Sequence, residues 1–164
     1  MCVRLPAVAD YERTTSRTTL ERLPEAIRAA LSERIETALL SVPDDAPAFL
    51  TTSRRARKGG LLSRMTGSAD PDTEHHTAFV VGPRDLLVAT RGEQRGTAVL
   101  SARLEDLQVG SLMPQLAGDG MDVTGFPVSG PDGGGPGSYH VGLGPPDGET
   151  ARAALEDAIR AAKA

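Results

Sequence analysis

Residues 75–104 read HHTAFVVGPRDLLVATRGEQRGTAVLSARL, and the rest of the chain is interpreted around this stretch. Runs 75–81, 86–91 and 97–104 are short and rich in Val, Leu, Thr and Ala, as strands are. Turn chemistry separates them: Gly82-Pro83-Arg84-Asp85, then Arg91-Gly92-Glu93-Gln94-Arg95-Gly96. Within 97–104 a period of two puts Ala98, Leu100, Ala102 and Leu104 on one face, with Thr97, Ser101 and Arg103 on the other. Connections this short favour an antiparallel meander over βαβ units. Further strands are predicted at 48–53 (AFLTTS), 107–112 (LQVGSL), 121–128 (MDVTGFPV) and 138–143 (SYHVGL), making seven in all. In 138–143 the inward set is Tyr139, Val141 and Leu143. The glycine-rich stretch 130–137 reads as a hairpin loop, and the one long connection runs from Arg54 to Glu74.

Helices are expected on either side. Leu23, Ile27, Leu31, Ile35 and Leu39 recur every four residues, so 20–42 reads as an amphipathic helix ended by Pro43. Its start is set either by a Thr18–Glu21 capping box or by Pro24. Residues 1–19 show no period and read as a loose arm. Near the other end, Asp147 is the expected N-cap of a helix whose stripe is Ala151, Ala154, Leu155, Ala158, Ile159 and Ala162.

Composition narrows the functional classes. The chain has 164 residues and a net charge of -4, a size suited to one domain. Its single cysteine, Cys2, excludes an intramolecular disulfide framework. No apolar run approaches the roughly 20 residues that span a bilayer, and the start lacks a signal-peptide core. The expectation is a soluble cytoplasmic protein with no cofactor. His75 and His76 are adjacent in a strand and point to opposite faces, so they cannot share a metal. Gly60 to Gly67 lacks the spacing and the Lys-Ser/Thr of a phosphate loop, and no Gly-x-Ser-x-Gly elbow is present. Catalysis has no positive support, and the chain reads as a non-enzymatic protein.

The order of seven short antiparallel strands and a closing helix resembles the pleckstrin-homology-like (PH-like) fold. Thr77 to Thr90 is similar to the second and third strands of bacterial PH-like domains, and Thr97 to Val109 to the strand, acidic turn and strand that follow. The resemblance covers roughly residues 48–162. It implies an α+β domain over 47–164, a seven-stranded antiparallel sheet or barrel capped by the C-terminal helix, with the 20–42 helix as an N-terminal addition. Two departures stand out. The closing helix has no tryptophan, and HHTAFVV lacks the paired basic residues of phosphoinositide-binding members.

One segment offers a candidate surface. Residues 54–64 carry five basic side chains, Arg54, Arg55, Arg57, Lys58 and Arg64, and no acidic one. Leu61 and Leu62 lie among them. The resemblance places this segment between the first two strands of the PH-like domain, where many members bind anionic headgroups. The expected function is a binding or scaffolding module that touches an anionic lipid surface through residues 54–65, peripherally to the membrane. The alternative is a protein-interaction or regulatory module in which the same loop is merely solvated. Nucleic acid is disfavoured as a partner, because the segment has no aromatic for base stacking and the chain is acidic.

Overall fold

The computed structural model describes residues 11–55, 72–110, 120–128 and 136–164. The protein is α+β, with eight strands and two α-helices in these residues. A large antiparallel sheet contains β1 (Tyr11–Thr19), β2 (Pro47–Arg55), β3 (Glu74–Val81), β4 (Asp85–Gly92) and β5 (Gly96–Arg103), in that spatial order. A small antiparallel sheet holds β6 (Gln108–Gly110), β7 (Gly120–Phe126) and β8 (Gly137–Gly142). Helix α1 (Glu25–Thr37) lies between β1 and β2, and α2 (Gly148–Lys163) follows β8.

The expected single seven-stranded sheet is therefore corrected to five strands plus three. The seven predicted strands are all present in part or whole, but β1 joins them from the segment 1–19 that reads as a loose arm. The described chain opens on this strand and not on an N-terminal helix. The helix expected over 20–42 is shorter, and a 3-10 turn at Leu20–Arg22 precedes it. Pro24 is its N-cap, and no Thr18–Glu21 capping box forms.

The apolar runs of β3 and β4 explain the layering. Successive side chains point to opposite faces, and in Ala78-Phe79-Val80 and Leu86-Leu87-Val88-Ala89 every one is buried. A sheet with both faces apolar needs a cover on each. On the outer face, Ala48, Ala78, Val80, Leu87 and Ala89 pack against Leu20, Leu23, Ile27 and Leu31 of the α1 region. On the inner face, Phe49, Phe79, Leu86 and Val88 meet Met121, Val123 and Val141 of the small sheet and Ala151, Leu155 and Ile159 of α2. Phe49 and Phe79 stack across the β2–β3 pair with centroids 5.1 Å apart. An isolated 13-residue helix is marginal in water. Burial at about 1.5–3 kcal/mol for each large apolar side chain is what holds α1.

The period-two reading of 97–104 holds for the faces, since Ala98, Leu100 and Ala102 stand in register with the inward Thr90, Val88 and Leu86. Ala102 and Leu104 are buried inward, but Ala98 and Leu100 are exposed, and Val99 packs toward the α1 side. The strand lies at the edge of the large sheet, so its inner face is only partly covered. The opposite edge is closed differently. Thr15 N–H donates to the Pro145 carbonyl (3.0 Å), Asp147 N–H donates to the Thr15 carbonyl (3.1 Å), and Gly144 N–H donates to Thr15 Oγ1 (2.9 Å). Asp147 stands at the N-cap of α2 as expected, yet its carboxylate accepts from Arg17 N–H at 2.8 Å and not from the helix. At β7, Gly125 has φ +119, and a side chain there would collide with the Asp106 carbonyl of the 3-10 turn Leu104–Asp106.

Helix α1 ends before Pro43. Leu40 N–H donates to the Ile35 carbonyl (2.9 Å) and Leu39 N–H to the Glu36 carbonyl (3.2 Å), a Schellman closure. Leu39 thereby takes φ 54 and is 90% exposed, so it leaves the apolar stripe that its spacing suggested. A left-handed conformation costs an L-residue about 1–2 kcal/mol, and glycine escapes that cost. L39G is expected to raise the unfolding free energy by about 1 kcal/mol in urea titration, less any gain in unfolded-state entropy. L39A keeps the backbone penalty and should give little gain.

Candidate functional site

The strands of the large sheet change character along their length. From the apolar inner face at Phe49, Phe79 and Val88, the next inward position on each strand is a threonine. Thr15, Thr51, Thr77 and Thr90 stand in register across β1 to β4. The first three are buried, and the Thr15 and Thr51 hydroxyls bond at 2.8 Å. Tyr139 of β8 reaches the row from the small sheet. Burial raises its phenol above the ordinary value, while hydrogen bonds with Thr90 and Thr77 act in the opposite direction. One inward position further lie Arg13, Ser53 and His75, again in register. His75 meets Tyr11 edge-on at 5.3 Å, and the Arg13 guanidinium lies 5.5 Å from the same ring.

The outer face of the same end carries charge. Glu12 pairs in register with Arg54, and Arg54 with Glu74. The Arg54 guanidinium makes an ion pair with Glu74, although Arg54 remains 70% exposed. His76 Nε2 lies 3.6 Å from the other Glu74 oxygen. As expected, His75 and His76 occupy opposite faces. His140 Nδ1 lies 2.9 Å from Asp122 Oδ1, a carboxylate partner that sequence alone does not place. Among the described residues no three His, Cys, Asp or Glu side chains cluster as a metal site.

Asp72 fastens this end of the sheet. It is 2% exposed, and its carboxylate accepts from Gln94 N–H (2.6 Å), Arg95 N–H (3.3 Å) and Arg95 Nε (3.0 Å). The residue that follows segment 56–71 is thus bound to the turn joining β4 and β5. The Gln94 N–H bond is the main influence that holds the Asp72 carboxyl below the usual carboxylate range; burial opposes it, and the Arg95 contacts add to the lowering. Arg55 N–H donates to the Thr73 carbonyl at 2.8 Å, which continues the β2–β3 pairing past Arg54 and Glu74.

Of the residues singled out by sequence, Arg54 and Arg55 are placed: they end β2, on opposite faces, with exposed side chains. Arg57, Lys58, Leu61, Leu62 and Arg64 lie outside the described residues. Sequence reading missed Asp72, Arg95 and the threonine row, and placed Tyr139 inward without its threonine partners. The row has a visible signal, a threonine two positions from the inward aromatic in both β2 and β3. Asp72, following Pro71, has none.

Comparison with known proteins finds no match among family models, curated proteins or solved structures. No helix among the described residues is long and apolar enough to cross a membrane.

The Asp72 anchor carries a pH signature. Its folded pKa is depressed, so its contribution to stability is fully present above the unfolded value of about 3.9 and fades as pH falls through the lower folded value. D72N, which cannot carry the charge, is expected to be less stable than the native chain at neutral pH. Urea titrations across the acid range should show the two stabilities converging below about pH 4.

Proposed function

We propose that residues 47–164 form a PH-like, non-enzymatic binding module, and that basic residues 54–65 contact an anionic membrane surface. The fold part of this reading is supported by element order: four meandering strands, β2 to β5, then the three of β6 to β8, then α2 against the inner face. On this reading β1 and α1 are additions that extend the first sheet and cover its outer face.

The observation that carries the membrane reading is the stem from which the basic segment departs. Arg54 pairs with Glu74, Arg55 N–H bonds to Thr73, and Asp72 is anchored to Gln94 and Arg95. The residues that flank segment 56–71 are thereby fixed to the sheet, which limits how far its basic side chains can lie from this end of the protein. The described part of this end is nearly balanced. Arg13, Arg54, Arg55, Arg91 and Arg95 stand beside Glu12, Asp72, Glu74 and Glu93. Attraction to an anionic leaflet therefore falls to Arg57, Lys58 and Arg64, helped by Arg55, while Arg54 is partly neutralised by Glu74. Each basic residue near such a surface contributes about 1 kcal/mol.

Co-sedimentation with vesicles containing phosphatidylserine tests this. The native chain should bind them, bind phosphatidylcholine vesicles weakly, and be released by high salt. The triple variant R57A/K58A/R64A should lose about 100-fold in affinity, and R54A alone only a few-fold. Absence of binding by the native chain, or equal binding by the triple variant, would overturn the proposal.

A further inference from the structure

Strand β5 ends the large sheet on the side opposite β1, and the two edges differ. The β1 edge is stitched to residues 144–147 through Thr15. On β5, Gly96, Thr97, Ala98, Leu100 and Arg103 are exposed, and among the described residues no backbone hydrogen bond reaches its outer edge. The strand is eight residues long and contains no proline or lysine. Edges that proteins leave open to solvent are normally shortened, bulged or blocked by such residues. This one is regular, and a groove of about 580 Å³ adjoins its second half, lined in part by Ser101, Ala102, Phe126 and Val128.

Two arginines stand beside the outer face of β5, while Asp85 and Asp106 line the groove at its far end and Arg103 is paired with Glu105. Thr97, Val99, Ser101 and Arg103 share the outer face of β5. Arg91 Nη1 donates to Thr97 Oγ1 at 3.0 Å, and Arg34 Nε of α1 donates to Ser101 Oγ at 2.9 Å. Both guanidinium groups have a hydroxyl for a neighbour, and among the described residues neither is in an ion pair with a carboxylate. Thr97 and Ser101 are four residues apart, about 13 Å along a strand. On the other face, Leu100 is 38% exposed, with Ala98 exposed before it.

We propose that the β5 edge receives an extended acidic peptide as a sixth strand. Its backbone bonds to the outer edge of β5, which no backbone group among the described residues reaches. Carboxylates at two positions four residues apart meet Arg91 and Arg34, and intervening apolar side chains on the opposite face cover Leu100. This is strand addition, in which main-chain bonds supply affinity and alternating side chains supply choice. The occupant is a partner segment and not a second copy of β5, whose own outward positions carry Thr97, Ser101 and Arg103 and would bring like charges together.

The test uses the intact chain and a fluorescein-labelled nonapeptide of alternating glutamate and valine, read by fluorescence anisotropy. Three controls accompany it: a lysine–valine counterpart, a glutamate–valine peptide with alternate backbone nitrogens methylated, and the protein variant R34S/R91S. The proposal expects saturable binding of the first peptide and at least tenfold weaker binding in each control. The methylated peptide keeps charge and side chains but loses backbone donors, so its weakness marks strand pairing and needs no change to the protein. Equal binding of plain and methylated peptides would overturn the proposal, as would full affinity in a folded R34S/R91S. So would no binding, or sedimentation showing that a second copy already occupies the edge.

Discussion

Two-sided burial of the large sheet is the constraint on which the other features depend. Strands β3 and β4 carry apolar side chains without alternation, so neither face can be left to water. The inner cover comes from the small sheet and α2, and the outer cover from α1 with Leu20 and Leu23. Each cover reaches only part of the strands' length. Where the covers stop, the strands must turn polar, and the same strands that build the core at Phe49 and Phe79 build the threonine row one inward position later. The polar end is thus a direct product of how far the covers extend.

That division also explains why the anchor at Asp72 can exist. A buried carboxylate is tolerated only where donors converge on it, and the β4–β5 turn supplies two backbone N–H groups and a guanidinium. The turn lies at the end of the sheet that the covers leave polar. Fixing Asp72 there brings the chain back beside Arg55 and starts β3 in register with β2. The charged ladder of Glu12, Arg54, Glu74 and His76 then follows from alternation, with the outer face taking what the inner face cannot.

Much of this architecture is legible in the amino-acid order, and the failures have physical causes. β2 to β5 and α2 are marked by turn residues and by apolar patterning strong enough to place them within a residue or two. β1 is invisible to that method, because TTSRTT has no apolar period: its buried residue is Thr15, and it is held by backbone bonds and hydroxyls. The stripe of α1 extends in sequence to Leu39, but hydrogen bonding closes the helix at Thr37, and periodicity does not detect a C-cap lacking glycine. Val99 packs on the α1 side, a burial that alternation does not reveal because the pattern presumes one buried face. The basic segment was read from its charge, and of it only Arg54 and Arg55 are placed. The groups that fix its ends are scattered in sequence, and only folding gathers them.

The stitch between β1 and residues 144–147 gives synthesis a direction. Arg17 and Asp147, which bond directly, are separated by 130 residues. While the chain emerges, β1 can pair with β2 early, yet its second edge stays bare until residues 144–147 have been made. For that interval the growing chain exposes a strand edge to any neighbour, the condition under which nascent chains pair wrongly or swap segments. The polar makeup of YERTTSRTT lowers that hazard, since an edge with few apolar side chains offers little to a non-native partner. A strand that contributes almost nothing to the core is in this sense suited to wait for a contact so distant in sequence.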